Sequence, residues 1–304
     1  MIHPNRTFNG TWPYEAKFSS AAGFRQHYID VGPRNGEILL CLHGEPTWGY
    51  VYRHMIPKLS TNYRVIVPDH MGFGKSETPE NRDYTLKSHV ENLIHFCNAL
   101  ELDHITFLAQ DWGGPIAGAY ALRNPDRVKR FCLMNTMLGY GGSPPRKEKS
   151  LWFEWVAKHE EEKTLQGILG EMGSTVLSVM KILGFENSRG IDQDWINAYS
   201  APFPDRKACI GAIEFPLDLH YGRCRQYIVE SLKLGNLEKL TTKPAILLEG
   251  LKDRAIHPEN AIADFKALWP EGELKTFENA GHFCQEDVPD DLVYFILEFI
   301  NSNS

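Results

Sequence analysis

Short apolar runs recur along the chain, and turn-forming residues bound each of them. The runs are almost continuously hydrophobic rather than alternating, which is typical of parallel strands buried on both faces. Their spacing leaves room for helices between them. The pattern therefore predicts strands over residues 38–42, 63–67, 105–109, 131–134, 245–248 and 274–277.

Helical periodicity lies between several of these runs. Residues 84–100 carry apolar side chains on one helix face, at Leu86, Val90, Leu93, Ile94 and Cys97. Helices are also predicted over 114–123 and 295–300. Alternating strands and helices predict an α/β fold, with a mostly parallel central sheet and helices on both of its faces.

The middle of the chain has a different pattern. Residues 138–232 contain helical stretches, notably 151–159 and 165–183, with Pro and Gly breaks and no strong strand. A helical insertion in an α/β core forms a cap over the ends of the strands. We therefore predict a core in two parts, residues 1–137 and 233–304, with a helical cap over 138–232.

Composition excludes some classes of function. The chain has 304 residues, 42% of them hydrophobic, and a net charge of −7 without a basic run that would favour nucleic acid or an anionic membrane. The first residues lack the apolar segment of a signal peptide, and the apolar runs have only strand length. The six cysteines show no CxxC spacing, which predicts free buried thiols and a cytoplasmic protein.

A carboxylate occupies the position of a nucleophile. The strand at 105–109 leads through Ala-Gln-Asp-Trp-Gly at 109–113 into a helix of small residues, and this is the sharp strand-to-helix elbow of a hydrolase. Asp111 stands where serine is usual. A carboxylate that displaces a leaving group from saturated carbon gives an ester that water can hydrolyse. Asp111 as a simple helix cap is the alternative.

Two further residues complete a triad in chain order. His282 follows the last predicted strand in an Ala-Gly-His turn and would take a proton from the water that attacks the ester. Asp253 follows the strand at 245–248 and would orient the imidazole. The rival acid position after 131–134 holds Asn135, which cannot balance an imidazolium, and Glu249 is the second choice.

The turn at 43–48, His-Gly-Glu-Pro-Thr-Trp, follows a strand and can aim backbone N–H groups at the nucleophile. The N–H groups of Glu45 and Trp112 are predicted to form the oxyanion hole. His43 is interpreted as a residue that stabilises the turn. The glycines and Asp69 in 68–76 are interpreted as loop architecture, because no phosphate-binding glycine motif is present.

These segments resemble the haloalkane dehalogenases, in particular the subfamily with an Asp–His–Asp triad and two tryptophans. The resemblance covers most of the chain and rests on 43–53, 110–114, Ala-Pro-Phe-Pro at 201–204 and 280–283. It implies that Trp112 donates to the leaving halide. Since Glu45 stands where related enzymes have an amide donor, the resemblance implies a second donor in the cap, Trp152, before Trp155 or Trp195.

Two other functions stay open on the sequence. An epoxide hydrolase would use the same triad with cap tyrosines, for which Tyr199, Tyr221 and Tyr227 are available. A catalytically silent binding protein would normally lack part of the triad. We expect a small halogenated aliphatic substrate and a halide ion as partners, no metal and no cofactor. We also expect no nucleic acid or membrane partner and a monomer, with an oligomer left open. The stretch 164–190 is longer than in the resembling enzymes, which leaves substrate preference open.

Overall fold

A computed structural model of the protein describes residues 2–142 and 145–303. Within these ranges the strands join one sheet in the order β1-β2-β4-β3-β5-β6-β7-β8. The strands are β1 Lys17–Ser19, β2 Gln26–Val31, β3 Ile38–Leu42, β4 Arg64–Pro68, β5 Ile105–Gln110, β6 Val128–Met134, β7 Ala245–Gly250 and β8 Glu273–Phe277.

The sheet is parallel from β4 to β8, while β2 runs antiparallel to β1 and to β4. All six residues of β5 and of β7 are buried, as expected for strands covered on both faces. The carboxyl ends of these central strands meet at one edge of the sheet. The six predicted strands all begin and end within three residues of the observed bounds.

Helices cover the sheet and fill the segment between β6 and β7. They are α1 Ile56–Leu59, α2 Leu86–Ala99, α3 Gly113–Arg123, α4 Leu151–Glu161, α5 Leu165–Leu169, α6 Met172–Leu183, α7 Gln193–Ser200, α8 Ile210–His220, α9 Arg223–Leu232, α10 Leu237–Thr241, α11 Pro258–Leu268, α12 Cys284–Asp287 and α13 Pro289–Ser302. The described residues between β6 and β7 contain helices and no strand, and the division at 138 and 232 stays a prediction.

Local sequence explains where the main helices begin. The Thr85 hydroxyl accepts a hydrogen bond from the Ser88 N–H at 3.3 Å, and this cap starts α2 at Leu86.

The single helix predicted over 165–183 is wrong in detail. Gly170 and Glu171 separate α5 from α6, since glycine is a poor helix former and Glu171 has a non-helical backbone.

All six cysteines are free and buried. Along 2–142 and 145–303, no helix is both long and apolar enough to cross a membrane. The same described residues include no cluster of three or more His, Cys, Asp or Glu side chains that could hold a metal ion. Ser143 and Pro144, in the predicted exit from the sheet, lie outside the described residues.

Candidate active site

Asp111 lies at the sharp turn between β5 and α3. Its φ is +50°, in the left-handed region that few non-glycine residues adopt, so the backbone is strained there. The neighbouring backbone approaches closely. A Cβ on Gly44 would lie 2.1 Å from Asp111 Oδ1, and one on Gly113 would lie 2.4 Å from the Leu42 carbonyl oxygen. Glycine at both positions is therefore a requirement of the elbow.

The carboxylate of Asp111 is held from two sides. The Glu45 N–H donates to Oδ1 at 2.8 Å, and His282 Nε2 lies 3.2 Å from Oδ2. The Asp111 side chain retains 12% exposure, whereas His282 is fully buried. Glu45 thus presents its N–H where the sequence predicted an oxyanion donor. The corresponding role of the Trp112 N–H stays a prediction.

Asp253 binds the other side of the imidazole. His282 Nδ1 lies 2.8 Å from Asp253 Oδ2, and the same oxygen accepts from Asn135 Nδ2 at 3.0 Å. The N–H groups of Ala255 and Ile256 donate to Asp253 Oδ1 at 2.7 and 2.9 Å. These donors fix the carboxylate and keep it satisfied while it faces the imidazole.

Opposing effects set the pKa of His282. Burial disfavours the imidazolium, but the charge of Asp253, the hydrogen bonds with Asp111 and Asp253, and the charge of Asp111 outweigh it and raise the pKa to about 10. The imidazole in the resting site is therefore protonated at neutral pH. Because part of the rise depends on Asp111, losing the charge of that carboxylate lowers the pKa of His282.

Glu249, the second choice for the triad acid, is fully buried near the end of β7. Burial, reinforced by the charge of Asp253, raises the pKa of Glu249 well above its ordinary value. Its Oε1 accepts from Asn135 Nδ2 at 3.3 Å. The described contacts of Glu249 are with Asn135 and not with His282, whereas Asp253 Oδ2 lies 2.8 Å from His282 Nδ1, so the geometry favours Asp253.

A cavity of about 400 Å³ opens above Asp111. The tryptophans that line its described wall are Trp112 and Trp152. The indole of Trp112 is stacked on Phe215 with ring centroids 4.6 Å apart and an angle of 14° between the planes. Trp152 is stacked on Trp155 at 5.1 Å and 10°. Each tryptophan that lines the cavity is thus held by stacking on a neighbouring aromatic ring.

The other candidate tryptophans have different surroundings. Trp195 Nε1 donates to Glu286 Oε2 at 3.3 Å, so this donor is already used in the protein interior. Trp155 is stacked on Trp152 and contacts the His159 ring at a tilt of 52°, and it is not among the described residues that line the cavity. The geometry favours Trp152 as the cap donor.

Two site residues have properties that sequence reasoning missed. Glu45 lines the cavity, and burial together with the Asp111 charge raises the pKa of its side chain well above the ordinary value. Gln110 Nε2 lies 3.2 Å from His282 Nε2 and donates to the His282 carbonyl at 3.1 Å. The position of Gln110 directly before the nucleophile was the available signal.

The cap tyrosines that an epoxide hydrolase would need lie elsewhere. The Tyr199 hydroxyl donates to Glu286, and the Tyr221 hydroxyl donates to Glu160 at 2.6 Å on the surface. Tyr227 packs under the guanidinium of Arg123. The described cavity wall includes none of these tyrosines.

The elbow, the triad geometry and the sheet order define a hydrolase of the α/β class. The α/β-hydrolase fold family matches residues 37–289. Among solved structures, the tetrameric haloalkane dehalogenase DpaA from Paraglaciecola agarilytica NO2 superposes with a TM-score of 0.79 at 28% identity. The match covers 98% of this chain and 97% of that one. The predicted fold class is confirmed.

Similar sequences identify the family within this fold class. A haloalkane dehalogenase from Psychrobacter cryohalolentis is 34% identical over 94% of this chain and 90% of its own. Haloalkane dehalogenase 2 from Mycobacterium tuberculosis is 31% identical over 94% and 95%. A cis-3-alkyl-4-alkyloxetan-2-one decarboxylase from Xanthomonas campestris is 32% identical over 92% and 94%. The chain belongs to the haloalkane dehalogenase family, as its motifs predicted.

Proposed function

We propose that this member of the family hydrolyses the carbon–halogen bond of haloalkanes and releases an alcohol, a halide ion and a proton. The observation that carries the proposal is the Asp111 carboxylate, which lies 3.2 Å from a buried imidazole and lines the same largely apolar cavity as Trp112 and Trp152. A carboxylate in this position can attack a carbon atom that carries a leaving group.

In the first step, Asp111 Oδ2 attacks the carbon and the carbon–halogen bond breaks. The halide leaves with the bonding electrons toward the indole N–H groups of Trp112 and Trp152. Indole donates a hydrogen bond without carrying a charge, so it stabilises the developing halide and still allows the ion to leave. The alkyl group then remains on Asp111 as an ester.

In the second step, His282 removes a proton from a water molecule that attacks the ester carbonyl carbon. Alkylation removes the negative charge of Asp111, so the pKa of His282 falls from about 10 and the imidazolium releases its proton to solvent, which leaves a neutral ring that can act as a base. Asp253 holds the imidazolium that forms. The N–H groups of Glu45 and Trp112 receive the oxyanion, and the alcohol departs as Asp111 is regenerated.

The cellular setting is part of the proposal. Six free, buried thiols suit a reducing compartment, and we place the protein in the cytoplasm on that basis. We assign the helical segment 138–232 as the cap that encloses the substrate. A monomer suffices for this mechanism, since each residue invoked lies in one chain. The related DpaA dehalogenase is described as tetrameric, so the assembly needs its own measurement.

The test compares wild type with Asp111→Ala on several substrates. Bromide release is measured from 1-bromobutane and 1,2-dibromoethane, and diol formation is measured from styrene oxide. A cis-3-alkyl-4-alkyloxetan-2-one serves as a further substrate, because a decarboxylase of that class is also similar to this chain. Bromide release that disappears in Asp111→Ala supports the proposal. Diol or alkene formation without bromide release would move the activity to another substrate class.

A further inference from the structure

The cavity has a basic opening that a neutral haloalkane does not require. Arg146, Lys147 and Lys149 line its mouth together with Glu148, although the protein as a whole carries a net charge of −7. We call these three cations the basic rim. Charges of one sign at the entrance of a low-dielectric cleft attract ligands of the opposite sign.

The two ends of the cavity differ in exposure and polarity. Both lysines of the basic rim are exposed, whereas Asp111 retains 12% exposure and Trp152 only 2%. Apolar side chains of Leu86, Pro115 and Ile228, among others, line the space between them. A ligand that fits this gradient has an apolar body and an anionic end directed toward the opening.

Carboxylates of the protein pair with only one of the three cations of the basic rim. The guanidinium of Arg146 pairs with Glu259 at 3.1 Å and with Glu148 at 3.9 Å, and the Arg146 N–H donates to Asn260. These contacts tie the segment to α11 and hold it at the mouth. Lys147 and Lys149 have no carboxylate within salt-bridge distance in the described structure.

We infer that the preferred substrates are haloalkanes with a carboxylate at the end opposite the halogen. This inference rests on the proposed dehalogenation and specifies its substrate class. The carbon–halogen bond lies at Asp111, the methylene chain fills the apolar part, and the carboxylate meets Lys147 and Lys149. Because the cations lie at the mouth rather than beside the nucleophile, several methylene groups must separate the two ends, which excludes haloacetates.

The test uses two substrates that differ in one group, 6-bromohexanoate and 6-bromohexanamide. Exposed ion pairs contribute modestly, so we expect the carboxylate to have a kcat/KM advantage of roughly fivefold at low salt, given two lysines. Raising the ionic strength should shrink this advantage, because salt screens exposed charges. Unreactive hexanoate should also compete with 1-bromobutane more strongly than hexanamide does.

A double variant tests whether the two rim lysines cause the advantage of the carboxylate substrate. Lys147→Gln/Lys149→Gln should remove the carboxylate advantage and leave the amide rate within about twofold, since lost rim charge does not alter the chemistry at Asp111. Lys233→Gln/Lys239→Gln removes the same charge from exposed positions away from the cavity and should keep the advantage.

The outcomes separate this inference from the function on which it rests. Equal rates for the carboxylate and the amide, or an advantage that survives in Lys147→Gln/Lys149→Gln, would overturn the inference while bromide release from 1-bromobutane upholds dehalogenation. If none of the three bromides is turned over, the proposed function itself fails.

Discussion

Replacement of Trp152 by phenylalanine removes one indole N–H and keeps most of the ring. Trp152 is 2% exposed and is stacked on Trp155, so phenylalanine can retain the stacking contact. A hydrogen bond to a charged group contributes about 1.5–3 kcal/mol. Since about 1.4 kcal/mol corresponds to a tenfold change in rate, Trp152→Phe should lower kcat/KM for 1-bromobutane by roughly 10- to 100-fold.

Two assays follow this variant. Steady-state bromide release gives kcat/KM, and bromide titration of the tryptophan fluorescence gives a halide dissociation constant without turnover. Both should change in the same direction, because the lost donor contacts halide in the bound state and in the transition state. The matched control is Trp155→Phe, which alters the partner of the stack and leaves both cavity indoles in place.

The reasoning is refuted if Trp155→Phe weakens bromide binding as much as Trp152→Phe does, or if Trp152→Phe leaves both measurements unchanged. In the first case the second halide donor would be Trp155, the alternative that the sequence left open. In the second case a group other than an indole of the cap would hold the halide.

Three further predictions concern the triad and its support. Asp111→Asn removes a charge beside His282 and should lower the pKa of that imidazole from about 10, measured by NMR titration. Asp253→Asn should slow ester hydrolysis by roughly 10³-fold or more and leave a burst of bromide release, measured by rapid quench. Phe215→Leu removes the stacking partner of Trp112 and should weaken bromide binding, measured by fluorescence titration, in a protein that calorimetry shows to be still folded.

An unchanged His282 titration in Asp111→Asn would mean that the carboxylate does not contribute to the raised pKa.

The same pKa shift determines how the contribution of His282 to the stability of the fold changes with pH. Because the folded pKa of His282 lies above its unfolded value, its stabilising contribution is present below about pH 6.5 and is lost as the pH rises through about 10. A contribution that grows with pH in this range would contradict the assignment.

Much of the fold could be predicted because burial leaves a direct pattern in the sequence. Strands β3 to β7 are hydrophobic runs with clear ends, and the elbow motif marks where β5 turns into α3. The strand β2 was missed because Gln26, His27 and Asp30 interrupt its apolar residues. These side chains pair with residues distant in the chain, such as Asp69 at 2.8 Å from His27, and a local pattern does not reveal such pairs.

The same limit applies to the site. Chain order and turn motifs were enough to bring Asp111, Asp253 and His282 into one prediction. The raised pKa of Glu45 could not be predicted from the sequence, since it results from burial next to Asp111 in the folded protein. The network in which Arg53 and Tyr199 bind Glu286 was also missed, because its members are separated by up to 233 residues in the chain.

The central claim is that Asp111 forms a covalent ester that His282 is needed to hydrolyse. The most direct measurement is intact-protein and peptide mass spectrometry of His282→Gln after incubation with 1-bromobutane. The account predicts that one butyl group accumulates on the protein, that it maps to Asp111, and that one equivalent of bromide is released. Normal steady turnover in this variant without an adduct, or an adduct on another residue, would contradict it.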